Sequence, residues 1–308
     1  MSRPFNHVAL IGLGLIAGSI GLAARRWDPA IRVTGYAPSE ATRAKARERG
    51  LCDVKDSIAE AVRGADLVIL CVPVGAMAQV AEQIAPHLAK GAMVSDVGSV
   101  KRAVFEAVIP NLPDHACFIG GHPMAGTEHS GPEAGFASLF DNRWCLIVPP
   151  EDADPANVDR LSAFWHGLGS DTEAMGPDHH DLLCVVVSHA PHLIAYTMVG
   201  VADDISRVTD NEVIKFSAAG FRDFTRIAAS DPTMWRDVFL NNRDATLEIL
   251  GRFTEELFAL QRAIRTGDGD HLFDYFTRTR AIRRSIIEAG QDTDAPNFGR
   301  VPLPGDTP

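Results

Sequence analysis

The sequence is poor in cysteine, with five among its 308 residues, at positions 52, 71, 117, 145 and 184. No two of them have the CxxC spacing of a zinc site or redox motif, and their odd number argues against a disulfide framework. They are typical of buried, reduced thiols in a cytosolic protein. We find neither a signal peptide nor an apolar run of membrane-spanning length. The sequence therefore predicts a cytoplasmic protein without a membrane partner.

Positive charge is also scarce, since 29 Lys and Arg residues stand against 40 Asp and Glu residues, for a formal net charge of -11. A chain this acidic is repelled by phosphate backbones and anionic lipids, so we predict no nucleic-acid partner. An anionic small molecule would need a local cluster of Arg or Lys. The apolar share of 46% and the charged share of 22% are those of a globular protein.

The N-terminal segment combines an apolar strand with a glycine-rich turn. Residues 8–12 form a run typical of a buried parallel strand, and residues 12–17 (GLGLIA) follow before a helix-forming stretch. In a dinucleotide-binding turn the first glycine makes the turn, the second admits the pyrophosphate, and a small residue lets the helix approach the strand. A plain tight turn is the alternative, but the context favours nucleotide binding. The predicted cofactor contacts are Gly12, Gly14, Leu15, Ile16 and Ala17.

The choice between NAD and NADP stays open. The second predicted strand, residues 31–36, should end beside the adenosine ribose, where an acidic residue would bind the 2′-hydroxyl of NAD. The chain has Ala37 there, followed by Ser39, Glu40 and Arg43. Ser39 and Arg43 would tolerate a 2′-phosphate, whereas Glu40 would substitute for the missing acid.

Further apolar strands are predicted at residues 65–72, 92–95, 117–120 and 144–148, in alternation with helices. This alternation predicts right-handed βαβ units and a doubly wound parallel (Rossmann-type) sheet. Beyond residue 177 only helices are predicted. We therefore expect an α/β protein with a dinucleotide-binding domain at 1–176, an all-α substrate and dimerisation domain at 177–295, and a flexible tail at 296–308. Long apolar helices commonly pair with a second copy, so we expect a homodimer.

Ligands bind outside the carboxyl ends of the strands in such a sheet. Chemically informative residues follow these ends, and we predict cofactor contacts at Val72, Pro73, Asp96 and Ser99. Residues 120–131 (GGHPMAGTEHSG) follow the next strand, and their glycines and proline predict a loop. The concentration of polar groups marks this loop as a site, with a solvated surface loop as the alternative.

The predicted helix at residues 178–201 is apolar but carries His180, Asp181, His189 and His192 among its polar side chains. Pro191 predicts a kink. His189 and His192 share a helix face, which suits either a metal or a polar pocket. Because no third ligand has metal spacing, we predict no metal, and a hydrogen-bonded core histidine is the alternative for His189. Two more helices are predicted, at 233–263 and 271–289.

With these segments collected, the chain resembles the prephenate/arogenate (cyclohexadienyl) dehydrogenase family of tyrosine biosynthesis over nearly its whole length. The segments that carry the resemblance are GLGLIAGS at 12–19, SDVGSVK at 95–101, GGHPMAGTEHSG at 120–131, HDLLCVVVSHAPH at 180–192 and FRDFTRIAASDPTMWRD at 221–237. The resemblance implies oxidative decarboxylation of prephenate or arogenate with hydride transfer to NAD or NADP, giving 4-hydroxyphenylpyruvate or tyrosine. Tyrosine resembles the substrate, which makes it a candidate feedback ligand of the same pocket.

The resemblance also implies roles for individual residues. His122 matches the catalytic base, for which a neutral histidine is suited near pH 7, and Ser99 matches its orienting hydroxyl. Arg226 matches the residue that holds the ring carboxylate, a task that favours arginine over lysine. The remaining residues are expected to line, support or border the pocket: Thr127, Glu128, His192 and Trp235 as contacts, His189 and Asp181 as support, and His129 and Arg222 at the rim.

Two other functions are weighed against this one. A β-hydroxyacid dehydrogenase would share the dinucleotide-binding domain, but it should carry a catalytic lysine on the helix that opens the second domain. Residues 178–201 contain no lysine. A non-catalytic NAD(P)-binding regulator would have the glycine turn without a His and Arg pair near the nicotinamide. The segments at 95–101 and 120–131 count against it.

Overall fold

The computed structural model describes residues 3–127, 129–206 and 215–288. The chain forms two compact units, with the boundary between Ile249 and Leu250. The first unit contains both β-sheets, and the second contains the end of one long helix and the helix that follows it. The predicted boundary at residue 176 and the predicted tail at 296–308 stay predictions, and the tail lies outside the described residues.

A six-stranded parallel sheet with the strand order β3-β2-β1-β4-β5-β6 confirms the predicted doubly wound architecture. Its strands are short, and every residue of β1, β4 and β5 is buried, as expected for a sheet covered on both faces. The strands are β1 (His7–Ile11), β2 (Arg32–Tyr36), β3 (Asp53–Val54), β4 (Leu67–Leu70), β5 (Met93–Asp96) and β6 (Cys117–Phe118).

The helices between these strands begin where the sequence supplies N-caps. The hydroxyl of Ser39 accepts the N–H of Thr42, and the hydroxyl of Ser57 accepts the N–H of Glu60. The helices are α1 (Leu15–Trp27), α2 (Glu40–Glu48), α3 (Ile58–Val62), α4 (Met77–Ile84) and α5 (Arg102–Val108), with short 3₁₀ turns at Val74–Ala76, Ala85–His87 and Ile109–Asn111.

The register of the parallel sheet aligns its carboxyl ends. Ile11 pairs with Tyr36 on one side and with Leu70 on the other, and Leu70 pairs with Asp96. The segments that follow β1, β2, β4 and β5 therefore emerge at one edge. These are the segments in which the sequence predicts the cofactor contacts.

A second, three-stranded sheet was not predicted. It consists of β7 (Gly120–Pro123), β8 (Trp144–Val148) and β9 (Asp171–Ala174), with β7 antiparallel and β9 parallel to β8. A 3₁₀ turn (Pro132–Ala134) precedes β8, and α6 (Pro155–Leu168) lies between β8 and β9. The prediction of β8 in the large parallel sheet was wrong, because β8 pairs with β7 and β9 instead.

The prediction of a loop for all of residues 120–131 was also wrong at its start, since His122 lies in β7. The N–H of Met124 donates to the carbonyl of Trp144 at 2.7 Å. Because successive N–H groups of a strand point to opposite sides, the nitrogen of Pro123 faces away from β8. β7 is an edge strand, so this proline removes no ladder hydrogen bond.

Beyond residue 176 the described elements are helical. They are α7 (Pro177–Cys184), a π turn (Val185–His189), α8 (Ala190–Ser206), α9 (Ala219–Thr225), a 3₁₀ turn (Arg226–Ala229), α10 (Pro232–Asn241), α11 (Arg243–Thr266) and α12 (Gly269–Glu288). The single helix predicted at 233–263 is interrupted at Asn242, whose φ of -124° and ψ of 43° leave the helical region.

The helix from α7 to α8 widens just before Pro191. The N–H of Ala190 donates to the carbonyl of Val185, five residues back, in place of the usual four. A proline ring collides with the carbonyl four residues earlier, and a π turn relieves that collision. The kink predicted from Pro191 thus takes the form of a π turn beside the buried His189.

The same helix corrects the prediction that no apolar run reaches membrane-spanning length. The stretch Pro177–Ile205 is long and apolar enough to pass that test on length and composition. One such helix is weak evidence for a membrane span, and this one, although only 28% of its apolar window is buried, buries the polar side chains of His180, Asp181 and His189. The helix also exposes apolar side chains, namely Val186, Val187, Met198, Val199, Val201 and Ile205.

Candidate active site

Gly12 closes β1 in a conformation that glycine alone adopts easily. Its φ is +94°, and a Cβ built there would lie 2.4 Å from the carbonyl oxygen of Cys71. Its own N–H donates to the carbonyl of Tyr36 at 2.8 Å. Any side chain would therefore collide with the backbone that follows β4, so the tight turn depends on glycine here.

Gly14 leaves the N-terminus of α1 open. It is the N-cap residue, no side chain caps the helix, and a Cβ built on Gly14 meets nothing within 4 Å. The uncapped N–H groups and the positive end of the helix dipole therefore lie beside an unobstructed Gly14, an arrangement that fits a pyrophosphate. Ala17 is fully buried and keeps the helix close to the sheet, while Leu15 and Ile16 are half-buried beside the turn.

Ser39 and Arg43, which could receive a 2′-phosphate, are already engaged. The Ser39 hydroxyl accepts the N–H of Thr42 at 3.3 Å. Arg43 Nη1 donates to the carbonyl oxygens of Ala37 and Pro38 at 2.7 and 3.0 Å. Both groups thus support the local backbone at the end of β2.

Glu40 is the acidic group at this strand end. Its carboxylate pairs with Arg43, accepts a hydrogen bond from Arg47 Nη1 at 3.2 Å, and is 65% exposed, against 14% for the Arg43 side chain. The negative charge therefore lies nearer the solvent than the guanidinium of Arg43. Elsewhere on the same edge, Val72 is half-buried and Pro73 is exposed after β4.

A buried ion pair shapes the loop after β5. Lys101 Nζ lies 2.6 Å from Asp96 Oδ2, and both side chains are fully buried. Asp96 also accepts the N–H groups of Gly98 at 2.7 Å and Gly121 at 3.2 Å. Because the carboxylate is enclosed, the predicted cofactor contact of Asp96 stays a prediction that only its backbone could fulfil. Gly121 connects this loop to β7.

His122 is linked to a second histidine and to a carboxylate. Its Nδ1 lies 2.9 Å from Nε2 of His180, and Nδ1 of His180 lies 2.8 Å from Oδ1 of Asp181. His122 is 8% exposed, His180 is fully buried, and Asp181 is 6% exposed. β7 and α7 thus build one buried hydrogen-bonded chain, the His122–His180–Asp181 chain.

Asp181 is fixed by the N-terminus of α5. Its Oδ1 accepts the N–H of Lys101 at 2.7 Å, and its Oδ2 accepts the N–H of Arg102 at 3.0 Å. Burial raises the pKa of Asp181, but hydrogen bonds from His180, Arg102 and Lys101 outweigh it, and the pKa lies below its ordinary value. The carboxylate is therefore ionised near pH 7. It accepts hydrogen bonds from two N–H groups at the N-terminus of α5, where the helix dipole favours negative charge.

An ionised carboxylate only accepts hydrogen bonds, so it determines which nitrogen of each histidine in the chain carries the hydrogen. His180 Nδ1 must carry the hydrogen that Asp181 accepts, and His180 Nε2 then accepts the Nδ1–H of His122. Nε2 of His122 is left with a lone pair, and no described residue is hydrogen-bonded to it. This is the tautomer that a general base requires.

Both histidines are neutral near pH 7. Burial lowers the pKa of His122 well below its ordinary value, and the charges of His180, Lys101 and His189 act in the same direction. Burial also lowers the pKa of His180, and the hydrogen bond that His180 donates to Asp181 acts in the opposite direction. The lone pair on His122 is thus available, and the Asp181 carboxylate stabilises positive charge that develops on the chain.

Cys184 adjoins this chain from the next turn of α7. Its Sγ lies 3.5 Å from His122 Nδ1 and 3.5 Å from His180 Nε2. Burial raises the pKa of this thiol to about 12, so Cys184 carries its proton near pH 7.

The predicted substrate residues on the helices lie together. The His192 ring stacks on Trp235, with centroids 3.9 Å apart and an interplanar angle of 28°. The indole Nε1 of Trp235 is buried and makes no hydrogen bond within the described part of the chain. Burial lowers the pKa of His192, and the nearby charge of Arg226 lowers it further. Arg226 is half-buried.

Other predicted residues are less constrained by their surroundings. Thr127 is exposed, and its hydroxyl accepts the N–H of His129 at 3.2 Å. Glu128 lies outside the described residues. His129 and Arg222 are exposed.

Ser99 is half-buried after β5. In the described ranges its hydroxyl makes no hydrogen bond to His122, whose Nδ1 is held by His180. The orienting contact expected from Ser99 is therefore made by His180, while a role for Ser99 beside the cofactor stays a prediction.

The sequence predicted a supporting role for Asp181 but no role for His180, Lys101 or Asn242. Asn242 Nδ2 donates to the carbonyl of Asp181 at 3.0 Å and lies 3.4 Å from Nδ1 of His189, which is fully buried. The adjacent His180 and Asp181 are a sequence pattern that could have indicated a histidine and carboxylate pair. Its link to His122 spans 58 positions and has no local pattern.

Comparison with known proteins gives one consistent family. The profile for the prephenate dehydrogenase nucleotide-binding domain matches residues 20–173, and that for the prephenate dehydrogenase dimerization domain matches residues 176–278. A cyclohexadienyl dehydrogenase from Zymomonas mobilis is 40% identical over 92% of this chain and 96% of its own length.

Solved structures agree with these matches. Prephenate dehydrogenase from Aquifex aeolicus, in complex with hydroxyphenyl propionate and NAD+, superposes with a TM-score of 0.84 at 31% identity, over 91% of this chain and 98% of that one. Arogenate dehydrogenase from Synechocystis superposes with a TM-score of 0.75 at 28% identity, over 91% of this chain and 99% of that one.

Proposed function

Because the chain belongs to the prephenate dehydrogenase family, we propose that it is an NAD(P)-dependent enzyme that oxidatively decarboxylates prephenate, arogenate or both in tyrosine biosynthesis. The observation that carries the chemistry is the His122–His180–Asp181 chain, which holds a neutral imidazole with a free lone pair next to the cofactor edge of the sheet.

His122 acts as the general base. Its Nε2 takes the proton of the substrate C4 hydroxyl, and the positive charge that develops is stabilised through His180 by the ionised Asp181. Bound NAD(P) supplies the hydride acceptor for C4. The ring ketone that results withdraws electrons as the C1 carboxylate leaves as CO₂, and aromatisation makes the loss irreversible.

Arg226 holds the ring carboxylate of the substrate. Arg226 is half-buried and its charge lowers the pKa of His192, and partial burial strengthens a charge-assisted pair with a carboxylate. His192 and Trp235 form the neighbouring wall, and the indole N–H, which has no hydrogen-bond partner among the described residues, is a donor for the substrate. Thr127 and Glu128 contact the side chain that distinguishes prephenate from arogenate. Tyrosine, which shares the aromatic product's shape, competes for the same pocket.

NAD is the preferred cofactor. Ser39 and Arg43 are engaged by the backbone of their own strand end, and Glu40 places an exposed negative charge there. A 2′-phosphate would be repelled by this charge, whereas a ribose hydroxyl can donate to it.

The protein acts as a cytoplasmic homodimer. The matched dimerization domain includes the helix whose apolar face is exposed at Met198, Val199 and Val201. Exposed apolar side chains along a helix of this kind are typical of an interface between two copies of a chain. The five cysteines are free, as expected in a reducing compartment.

A four-way assay tests the function. Initial rates are measured from NAD(P)H absorbance with prephenate or arogenate crossed with NAD or NADP, and we expect turnover in at least one NAD reaction. Folded protein that binds NAD(P) but turns over neither substrate would contradict the proposal and favour a non-catalytic regulator. Turnover of a β-hydroxyacid instead would favour that enzyme class. Addition of tyrosine to the active reaction should raise the KM for substrate.

A further inference from the structure

We propose that His122, His180 and Cys184 form a binding site for one Zn²⁺ ion, and that the bound ion blocks the dehydrogenase reaction. These three residues, named here the His–His–Cys cluster, are all buried, and their donor atoms lie within 4.8 Å of one another. The inhibition rests on the proposed role of His122 as base, whereas the binding does not.

The distances within the cluster suit a tetrahedral ion. Zn–N bonds of about 2.0–2.1 Å and Zn–S bonds of about 2.3 Å place two nitrogen ligands about 3.3 Å apart and a nitrogen and a sulfur about 3.6 Å apart. The cluster has 2.9 Å between the two nitrogens and 3.5 Å from Sγ to each of them. Shifts of a few tenths of an ångström would therefore bring all three donors into bonding range.

The donor chemistry and its surroundings also favour zinc. Two imidazoles and a thiolate select borderline or soft ions over Mg²⁺ and Ca²⁺. Nδ1 of His180 already donates to Asp181, and a carboxylate behind a ligating histidine is a common feature of zinc sites. His180 and Cys184 are four residues apart on α7, so they face the same side. The fourth ligand position is left for water on the side where His122 is 8% exposed.

Zinc binding would remove the base by changing the tautomer of His122. Ligation through Nδ1 moves the Nδ1 proton to Nε2, so the lone pair that accepts the substrate proton is lost. The ion also displaces the thiol proton of Cys184, which is released to solvent. The cluster can thus serve either the ion or the reaction, and the two exclude each other.

Cobalt provides a direct test of binding that is independent of activity. Co²⁺ is titrated into the metal-free protein, and we expect a thiolate-to-cobalt charge-transfer band and intense tetrahedral d–d bands that saturate at one equivalent per chain. Cys184→Ser should abolish the charge-transfer band, and Cys184→Ala should do the same if the serine variant fails to fold. Cys117→Ser, which changes a half-buried cysteine in β6, is the matched control and should leave the spectrum unchanged. A wild-type spectrum without the thiolate band would overturn the proposal.

Inhibition is measured at buffered free Zn²⁺, with each variant compared to its own zinc-free rate. The zinc concentration for half-inhibition should rise at least about 100-fold in Cys184→Ser, since loss of even an outer partner costs about 10–100-fold in metal affinity. A chelator should restore the wild-type rate. Equal inhibition of Cys184→Ser and wild type would also contradict the site. A protein that shows the cobalt band but turns over no substrate would instead contradict the proposed function and leave the site intact.

Discussion

On the proposed cofactor side of the active site, the groups that would bind the ligand belong to the backbone. The turn at Gly12 and the open helix N-terminus at Gly14 supply N–H groups, and no side chain caps them. On the reaction side the groups are side chains, and His122, His180 and Asp181 come from two elements far apart in the chain. The two sides meet at one edge because β1, β4 and β5 end in register.

This difference decides how each side responds to substitution. Backbone donors survive most side-chain changes, provided that the glycines permit the turn. A buried chain of titratable groups depends on each member, because every proton position follows from the acceptor behind it. Single substitutions should therefore have larger effects on the reaction side than on the cofactor side.

His122→Asn should lower kcat by about 10³-fold, within the range that a general base contributes. Affinity for NAD should change little, since we propose that the cofactor is held mainly by backbone groups on the other side. Steady-state kinetics measure kcat, and an equilibrium binding experiment measures the affinity for NAD. His129→Asn, an exposed histidine of the same segment, is the control and should keep near wild-type turnover. Turnover within a few-fold of wild type in His122→Asn would remove His122 from the mechanism.

Asp181→Asn should lower kcat by about 10²-fold, because an amide no longer dictates which nitrogen of His180 carries the proton. Since Asn can still accept an N–H from α5, circular dichroism should show a folded protein. The KM for substrate should stay within a few-fold, as Asp181 acts through His180 and not on the substrate. Asp178→Asn, which changes an exposed partner of Arg102, is the matched control. A variant with normal kcat and a raised KM would contradict the proposed chain.

Much of the cofactor side could be predicted from the sequence, because its determinants are local. The glycine spacing at 12–17 and the apolar strands each lie within one short window, and the parallel sheet follows from their alternation. The second sheet could not be predicted in the same way. β7 contains a proline and two glycines, and it forms only because β8 offers a partner more than twenty residues later.

The reaction side shows the same limit more sharply. His122 and Asp181 were identified, but through resemblance, and their link His180 was missed. Ser99 was assigned the contact that His180 makes. No local sequence pattern predicts that β7 brings His122 against α7, because that contact depends on how the second sheet packs on the helix.

Arg226→Ala should raise the KM for substrate by about 10- to 100-fold, the loss expected for one charge-assisted pair. The effect on kcat should be smaller, because the carboxylate is held alike in the ground state and the transition state. Steady-state kinetics at saturating NAD give both constants. Arg222→Ala removes an exposed arginine from the preceding turn and should leave KM near wild type. The opposite ranking of the two variants would move the carboxylate site to Arg222.

Glu40→Gln should change cofactor preference by a few-fold to about tenfold and little else, since a partly screened surface charge contributes about 1 kcal/mol. The substitution keeps the size of the side chain but removes the charge that opposes a 2′-phosphate, and it frees Arg43 and Arg47 from their shared partner. The ratio of kcat/KM for NADP to that for NAD should therefore rise. Glu48→Gln at the far end of α2 controls for the change in net charge. An unchanged ratio would mean that preference is set by the backbone at residues 37–39, and even this edge of the cofactor side would then be independent of side-chain charge.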